Sequence, residues 1–169
     1  MERQGLVTFQ GQPLTLTGTG VHVGDAAPNF TVLNTDLKPV SLEHFMGQGV
    51  IISSVPSLDT PVCALQTKRF NQEAPALGAV ILTISMDLPF AQKRFCEAFQ
   101  IDGVHLLSDY RDRDFGQKYG LLIKELGLLA RAVLILDPAR KISYMEIVNE
   151  IAREPDYQAA LAMVRKIKG

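Results

Sequence analysis

A cysteine at position 63, placed closely behind two helix-starting residues, carries the clearest chemical signal in the sequence. Asp59 and Thr60 are both good N-cap residues, and Pro61 suits the first position of a helix, where its missing N–H costs nothing. Cys63 is therefore expected in the first turn of a helix. There the unpaired backbone N–H groups and the positive end of the helix dipole stabilise a thiolate, which is a nucleophile. This position outweighs the ordinary interpretation of a cysteine as a small buried hydrophobic residue.

Cys96 is the other cysteine of the chain, 33 residues after Cys63. Two cysteines are too few for a secreted disulfide framework, and this separation is not that of a CxxC redox or zinc motif. On an apolar helix beside a phenylalanine, Cys96 is as well explained by a core position as by a second reactive thiol. The histidines at 22, 44 and 105 stand singly, without a second ligand at metal spacing, so no metal or other cofactor is expected.

Length and charge restrict the class of protein. With 169 residues and 47% hydrophobic content, the chain suffices for one well-buried core, so residues 1–169 are expected to form a single domain. A net charge of −1 and a pI near 6.3 provide no basic excess for nucleic acid or an anionic membrane. The sequence contains no apolar run of the roughly 20 residues that a membrane span needs, and Met1–Gln12 has no signal-peptide core. We expect a cytoplasmic protein.

Apolar runs and capping residues predict the elements that position the cysteines. Residues 49–55 and 79–85 are short β-branched runs, typical of strands buried on both faces. Asp87 is expected to cap a helix from about 88 to 99, which carries Cys96 near its C-terminal end. Further elements are predicted at 30–33 (strand), 40–42 (strand or entry to a one-turn helix at 43–46), 104–107 (strand), 112–119 (helix), 131–137 and 141–145 (strands) and 156–167 (helix).

The order of these elements predicts the fold class. Alternation of strands and helices favours an α/β fold with a largely parallel centre, and the closing pair of strands makes the sheet mixed. The alternating residues of 6–9 and 13–17 surround a short glycine-containing loop, which predicts an N-terminal β-hairpin extension over 1–17. We therefore expect a thioredoxin-like fold, with a central mixed sheet flanked by helices and a nucleophilic cysteine after a central strand.

A family resemblance can be identified from these residues. Pro56, Thr60 and Cys63 match the Pro-x-x-x-Thr-x-x-Cys signature of the peroxiredoxins, and the string VPSLDTPVC resembles that of the thiol peroxidases, their atypical two-cysteine branch. Similar strings extend along most of the chain: GTGVHVGDAAPNF at 18–30, DLPFAQKRFC at 87–96, ARAVLILD at 130–137 and EPDYQAAL at 154–161.

The resemblance implies a role for five residues. Cys63 would be the peroxidatic cysteine that attacks a peroxide and becomes a sulfenic acid, and Cys96 the resolving cysteine that forms an intrachain disulfide with it. Thr60 would hold the peroxide and the thiolate through its hydroxyl. Pro56 would shield the pocket from water, and Arg131 would contribute a cation beside the sulfur. Without Cys63, Thr60 is interpreted more simply as a helix cap, Pro56 as a turn residue and Arg131 as an ion-pair residue.

The resemblance also implies substrates and partners. The family reduces hydrogen peroxide and organic hydroperoxides, is recycled by thioredoxin and commonly forms homodimers. General chemistry agrees, because cleavage of a peroxide O–O bond builds negative charge that fixed donors stabilise, and a second thiol protects a sulfenic acid from further oxidation.

Two other functions are compatible with a reactive cysteine. A redox-sensing switch or interaction protein would need only the Cys63–Cys96 pair, and the set of Thr60, Cys63 and Arg131 argues against it. A disulfide reductase of the thioredoxin type is disfavoured because the chain has no CxxC motif.

Two structural expectations concern the surroundings of the cysteines. Bridged cysteines need Cα atoms within about 7 Å, and a helix start and another helix's end are expected to be further apart in the reduced fold. Disulfide formation is therefore expected to require local unwinding of one or both helix ends. The connection 121–130 looks shorter and poorer in glycine than in other thiol peroxidases, which affects the substrate entrance or a dimer edge.

Overall fold

A seven-stranded mixed sheet forms the centre of the molecule. The computed structural model of the chain describes residues 1–168. The strands are β1 (Glu2–Phe9), β2 (Gln12–Thr17), β3 (Thr31–Leu33), β4 (Pro39–Ser41), β5 (Val50–Ser54), β6 (Val80–Ser85), β7 (His105–Ser108), β8 (Leu122–Ile123), β9 (Leu128–Leu129), β10 (Ala132–Leu136) and β11 (Ile142–Ile147). The helices are α1 (Pro61–Leu77), α2 (Pro89–Phe99), α3 (Asp114–Tyr119) and α4 (Tyr157–Lys168), with a one-turn 3-10 helix at Leu42–Phe45.

The order of strands in this sheet is β11-β10-β5-β6-β7-β3-β4. Strands β5, β6 and β7 run parallel at its centre, and the flanking strands pair antiparallel. Helices α1 and α2 connect the parallel strands, as a parallel arrangement requires. The predicted α/β fold with a central mixed sheet is confirmed.

Each central strand contributes side chains to both faces of the sheet, which explains their continuous apolar runs. In β5, Val50 and Ile52 join one apolar cluster, and Ile51 between them joins the other. The second cluster contains Cys63 and the buried apolar side chains of α1 and α4, together with Phe95 of α2. Burial of large aliphatic side chains of this kind contributes about 1.5–3 kcal/mol each, so the helix that carries Cys63 is held by a dry, packed face.

The predicted N-terminal hairpin is confirmed, and it belongs to a second sheet. Strands β1 and β2 pair antiparallel through a two-residue loop, Gln10–Gly11, in which both residues have positive φ (52° and 78°). Positive φ at both loop residues is typical of the tight two-residue turns that connect the strands of a β-hairpin. The connection 121–130 supplies β8 and β9, which extend the hairpin into a four-stranded sheet of order β1-β2-β8-β9. Those two-residue strands were not predicted.

Two predicted helix boundaries differ from the structure. Asp87 was expected to cap α2, but the N-cap residue is Leu88 and no side chain caps the helix. The prediction was wrong because the Asp87 carboxylate accepts hydrogen bonds from the loop before α1 instead. Helix α3 begins at Asp114 rather than 112.

Candidate active site

Cys63 lies in the first turn of α1, as predicted. The helix begins at Pro61, so Cys63 is its third residue, and Thr60 is the N-cap residue with extended backbone angles. Pro61 has no N–H, and Ala64 donates its N–H to the carbonyl of Thr60 (3.0 Å). The N–H groups of Val62 and Cys63 therefore lack acceptors within the helix. They lie at its N-terminus, which is the positive end of the helix dipole.

Arg131 is the polar group in contact with the sulfur. Its Nη2 donates to Cys63 Sγ at 3.1 Å, its Nη1 donates to Gln66 Oε1 at 2.9 Å, and its Nε donates to the carbonyl of Ile151 at 2.9 Å. Both Cys63 and Arg131 are buried, with exposed fractions of 0% and 2%. A charge buried to this degree needs partners, and a guanidinium held on three sides can stabilise a thiolate with little rearrangement.

Sequence reasoning missed Gln66, which holds this guanidinium, and Ser53, which orients Gln66. Gln66 is fully buried, and its Nε2 donates to Ser53 Oγ at 2.7 Å while its Oε1 accepts from Arg131. A neutral amide used in this way satisfies one N–H of Arg131 without offering a second negative charge to compete with the thiolate. The one available signal was spacing, since a residue three positions after Cys63 shares its face of the helix.

An apolar cavity of about 330 Å³ opens beside the first turn of α1. Arg131 lies on its wall and also contacts the sulfur, so this side chain links the cavity to the buried thiol. Cys63 itself is covered by the wall rather than part of it. The remaining lining residues are Phe9, Pro56, Ser57, Thr60, Pro61, Val62, Leu126, Leu128, Ile151 and Ala152.

Thr60 and Pro56 both line this cavity, which brings four of the five predicted site residues together. The Thr60 hydroxyl donates to the carbonyl of Ser57 (2.9 Å), so its lone pairs are what it presents to a ligand. Pro56 is buried between the end of β5 and the loop that leads to α1. Both placements agree with the predicted roles, but the roles themselves stay predictions.

Asp87 anchors the loop that leads into α1. Its carboxylate accepts from Ser57 Oγ (2.8 Å), from the N–H of Leu58 (2.8 Å) and from Ser85 Oγ (2.7 Å). Because Ser57 also accepts from Thr60, these bonds fix the N-cap of the Cys63 helix relative to the end of β6. Asp87 is thus a third residue whose role at the site the sequence did not reveal.

Cys96 lies apart from the other four predicted residues, near the C-terminal end of α2. It is half-buried and lines a different groove, of about 370 Å³, together with His44 and His105. Burial raises the pKa of the Cys96 thiol above its ordinary value, and the neighbouring charge of Glu97 adds to this effect. Cys96 therefore remains a protonated thiol at neutral pH.

Both cysteines are free thiols, and they are not within disulfide-bonding distance. They pack against the same apolar cluster, however, Cys63 from within it and Cys96 at its edge. Helices α1 and α2 also touch directly, since Lys68 Nζ lies 3.8 Å from the centroid of the Phe99 ring. The two thiols thus lie on neighbouring helices.

Two other features of the described residues bear on the kind of site. Over residues 1–168, no group of three or more histidine, cysteine or acidic side chains is arranged to hold a metal ion. In the same part of the chain, none of the helices is long and apolar enough to cross a membrane.

Comparisons with known proteins agree with this geometry. The Redoxin family profile matches residues 22–161. A thiol peroxidase of Oceanobacillus iheyensis is 55% identical over 95% of this chain and 98% of its own length, and one of Staphylococcus aureus (strain MRSA252) is 50% identical over the same shares. The crystal structure of a peroxiredoxin-like protein from Aquifex aeolicus superposes with a TM-score of 0.90 and 42% identity, covering 98% of this chain and 99% of that one.

The chain therefore belongs to the Redoxin family, in which its relatives are thiol peroxidases of the peroxiredoxin class. The protein is an enzyme, a peroxidase, and its fold is thioredoxin-like. Both the resemblance drawn from the VPSLDTPVC string and the predicted fold class are confirmed.

Proposed function

We propose that the protein reduces hydrogen peroxide and organic hydroperoxides through a sulfenic acid on Cys63, which Cys96 resolves as an intrachain disulfide. The observation that carries this proposal is the 3.1 Å contact between Arg131 Nη2 and Cys63 Sγ beside an apolar cavity. A buried guanidinium stabilises the thiolate, and the adjoining cavity offers space for the peroxide.

In the first step the Cys63 thiolate attacks the terminal oxygen of a hydroperoxide. An S–O bond forms, the O–O bond breaks, and the departing alkoxide or hydroxide takes a proton to leave as alcohol or water. The sulfur is oxidised to sulfenic acid. Arg131 and the first-turn N–H groups of Val62 and Cys63 are suited to stabilise the charge on the departing oxygen. Thr60 Oγ1, whose proton is engaged with Ser57, is suited to accept a hydrogen bond from the peroxide O–H.

The cavity supports a role for organic hydroperoxides. Its wall is made largely of apolar side chains from the hairpin, the Cys63 loop and the β8–β9 connection, among them Phe9, Val62, Leu126 and Leu128. An alkyl group bound there would be removed from water, which is favourable by about 0.8 kcal/mol for each buried CH₂. Hydrogen peroxide would gain no such contribution.

In the second step the Cys96 thiol attacks the sulfenic sulfur of Cys63. A disulfide forms, and the sulfenic oxygen leaves as water after taking the thiol proton, so the sulfur of Cys63 is protected from overoxidation. Because the thiols are not at bonding distance, local unwinding of the first turn of α1, the last turn of α2, or both would have to precede this step.

A dithiol protein of the thioredoxin type would complete the cycle by exchanging its two thiols for this disulfide. A homodimer is part of the same proposal. Exposed apolar side chains near the two helix starts support it: Leu65 and Leu88 are each 51% exposed, and Phe90 is 67% exposed. Sedimentation equilibrium over a range of concentrations tests the dimer, and a monomer at all of them would contradict it.

Peroxide consumption coupled to thioredoxin tests the proposed cycle, with wild type, Cys63→Ser and Cys96→Ser compared. Cys63→Ser should abolish consumption, and Cys96→Ser should consume about one equivalent and then stop. Activity retained in Cys63→Ser would refute the assignment of the nucleophile. Disulfide formation without sustained turnover in wild type would instead favour a redox switch that uses the same cysteine pair.

A further inference from the structure

The N-terminal hairpin is connected to Arg131 through the segment that follows β11. We propose that Glu150 is a positioning residue for the peroxidase reaction: it fastens the hairpin turn to residues 149–152 and thereby holds the Ile151 carbonyl against Arg131 Nε. This inference rests on the proposed role of Cys63 and Arg131 and adds to it a residue outside the cavity.

The carboxylate of Glu150 joins two turns. Its Oε1 accepts from the N–H of Gly11 (3.1 Å) and from Thr8 Oγ1 (3.1 Å), both in or beside the hairpin turn. Its Oε2 accepts from the N–H of Ala152 (3.0 Å), within its own segment. Hydrogen bonds to an ionised acceptor are the stronger ones, and those from Ala152 and Gly11 hold the pKa of Glu150 below its ordinary value.

Backbone hydrogen bonds align the same two segments. The N–H of Thr8 donates to the carbonyl of Asn149 (2.7 Å), and the N–H of Ile151 donates to the carbonyl of Thr8 (3.0 Å). The backbone of Thr8 is thus hydrogen-bonded to the residue before Glu150 and to the residue after it. The position of Ile151 therefore depends on where the hairpin sits.

Ile151 transmits this position to the reacting sulfur. Its carbonyl accepts from Arg131 Nε at 2.9 Å, while Nη2 of the same guanidinium donates to Cys63 Sγ. Because the guanidinium is a rigid plane, displacement of the Ile151 carbonyl would turn Nη2 away from the sulfur. Ile151 and Phe9 also line the cavity, so the same displacement would change its shape.

Glu125 provides a matched control. Its carboxylate also accepts a backbone hydrogen bond in the four-stranded sheet, and both of its oxygens lie 3.0 Å from the backbone nitrogen of Thr15. This hydrogen bond lowers the pKa of Glu125 below its ordinary value. Those contacts fasten the β8–β9 turn to β2 and do not lead to Arg131. Glu125→Ala thus removes a comparable surface carboxylate from the same sheet.

The test uses Cys96→Ser, in which Cys63 is the one cysteine, and follows the thiolate by its ultraviolet absorbance as the pH is raised. Glu150→Ala should move the appearance of the thiolate to higher pH and lower the single-turnover rate with peroxide by about three- to ten-fold, as expected for lost charge-assisted hydrogen bonds. Thr8→Val, which removes one donor, should have a smaller effect in the same direction. Glu125→Ala should leave the pH dependence of the thiolate unchanged and, with hydrogen peroxide as substrate, should change the rate by less than about two-fold.

A second comparison separates positioning from general loosening. If Glu150 acts through Arg131, then Glu150→Ala should have no further effect in an Arg131→Lys background, because lysine lacks the planar guanidinium with its fixed N–H directions. An equal loss in both backgrounds, an equal loss in Glu125→Ala, or an unchanged pH dependence of the thiolate in Glu150→Ala would each overturn the inference. The absorbance does not require turnover, so failure of the peroxidase proposal would be seen separately as absent peroxide reduction with the thiolate effect intact.

Discussion

The first turn of α1 and the last turn of α2 carry the two cysteines in very different surroundings. Around Cys63 the sulfur is fully buried and accepts a hydrogen bond from Arg131, which is itself held by Gln66 and Ile151. Around Cys96 the thiol is half-buried in an open groove, and burial keeps its pKa high. The contrast supports the proposed roles, in which Cys63 is the nucleophile and Cys96 the resolving thiol.

The two helix ends also differ in how they are fastened. The loop before Cys63 is bonded to Asp87 through Ser57 and Leu58. The chain after Cys96 ends α2 with Gln100 in the left-handed conformation, and Asn71 of α1 accepts from the N–H groups that follow, at 102 and 103. Formation of the proposed disulfide would require one of these two sets of hydrogen bonds to open. Local opening can therefore be measured at these two helix ends.

Loss of Arg131 is expected to have the largest effect on this contrast. Arg131→Met keeps much of the side-chain volume but removes the cation from Cys63, so the single-turnover rate with peroxide should fall by about a hundred-fold or more. Rapid-mixing kinetics measures it. Arg153, which is exposed in the neighbouring turn, provides the control Arg153→Met, which should retain nearly full activity. A mutant of Arg131 that reacts at the rate of this control would show that the sulfur does not depend on its guanidinium.

Gln66→Glu is expected to have the next largest effect. The substitution retains an acceptor for Arg131 Nη1 but adds a negative charge and removes the donor to Ser53. Because that charge competes with the thiolate for the guanidinium, the single-turnover rate with peroxide should fall by about ten-fold. Gln72→Glu places the same change on the exposed face of α1 and serves as the control. Equal behaviour of the two variants would rule out the role assigned to Gln66.

Oxidation is expected to loosen at least one of the two helix ends measurably. Hydrogen exchange of the disulfide form should be at least about ten-fold faster in the first turn of α1 or the last turn of α2 than in the reduced protein, because backbone bonds there must open. The amides of β5 and β6, which pair in the centre of the sheet, provide the internal control. Unchanged protection at both helix ends in a fully oxidised sample would contradict local unwinding.

The smallest predicted effect concerns Cys96 alone. In Cys63→Ser, alkylation of Cys96 at mildly alkaline pH should be slower in the folded protein than in urea, because burial raises the pKa of the thiol and leaves less thiolate. Glu97→Gln removes the second cause and should raise the folded rate by roughly two-fold. The folded rate should approach the unfolded one only as the pH rises. A Cys96 thiol that reacts faster in the folded protein than in urea would contradict the low reactivity expected for this buried thiol.

The sequence predicted the parts of the molecule that local chemistry determines. The caps before Pro61 placed Cys63 correctly in a first turn, and the apolar runs located the central strands. Strands β8 and β9 have two residues each, too short for any period. They form because β8 pairs with β2 of the N-terminal hairpin and β9 pairs with β8.

Local sequence patterns could not predict the arrangement of side chains around Arg131. Arg131 was selected through family resemblance, and its partners Gln66 and Ile151 become partners only when distant segments meet. A glutamine inside a helix-favouring run is ordinarily a solvent-exposed residue. Asp87 was misinterpreted because the residue types that cap a helix are also those that anchor a neighbouring loop.

Trapping of the first oxidation product tests the central claim most directly. One equivalent of hydroperoxide is added to Cys96→Ser and to Cys63→Ser in the presence of a sulfenic acid trap, and the adduct is located by peptide mass spectrometry. The prepared thiol should give a stoichiometric adduct on Cys63 within the mixing time, while Cys96 in the other variant should remain almost unmodified. An adduct on Cys96 at a comparable rate, or none on Cys63, would contradict the proposed division between the two thiols.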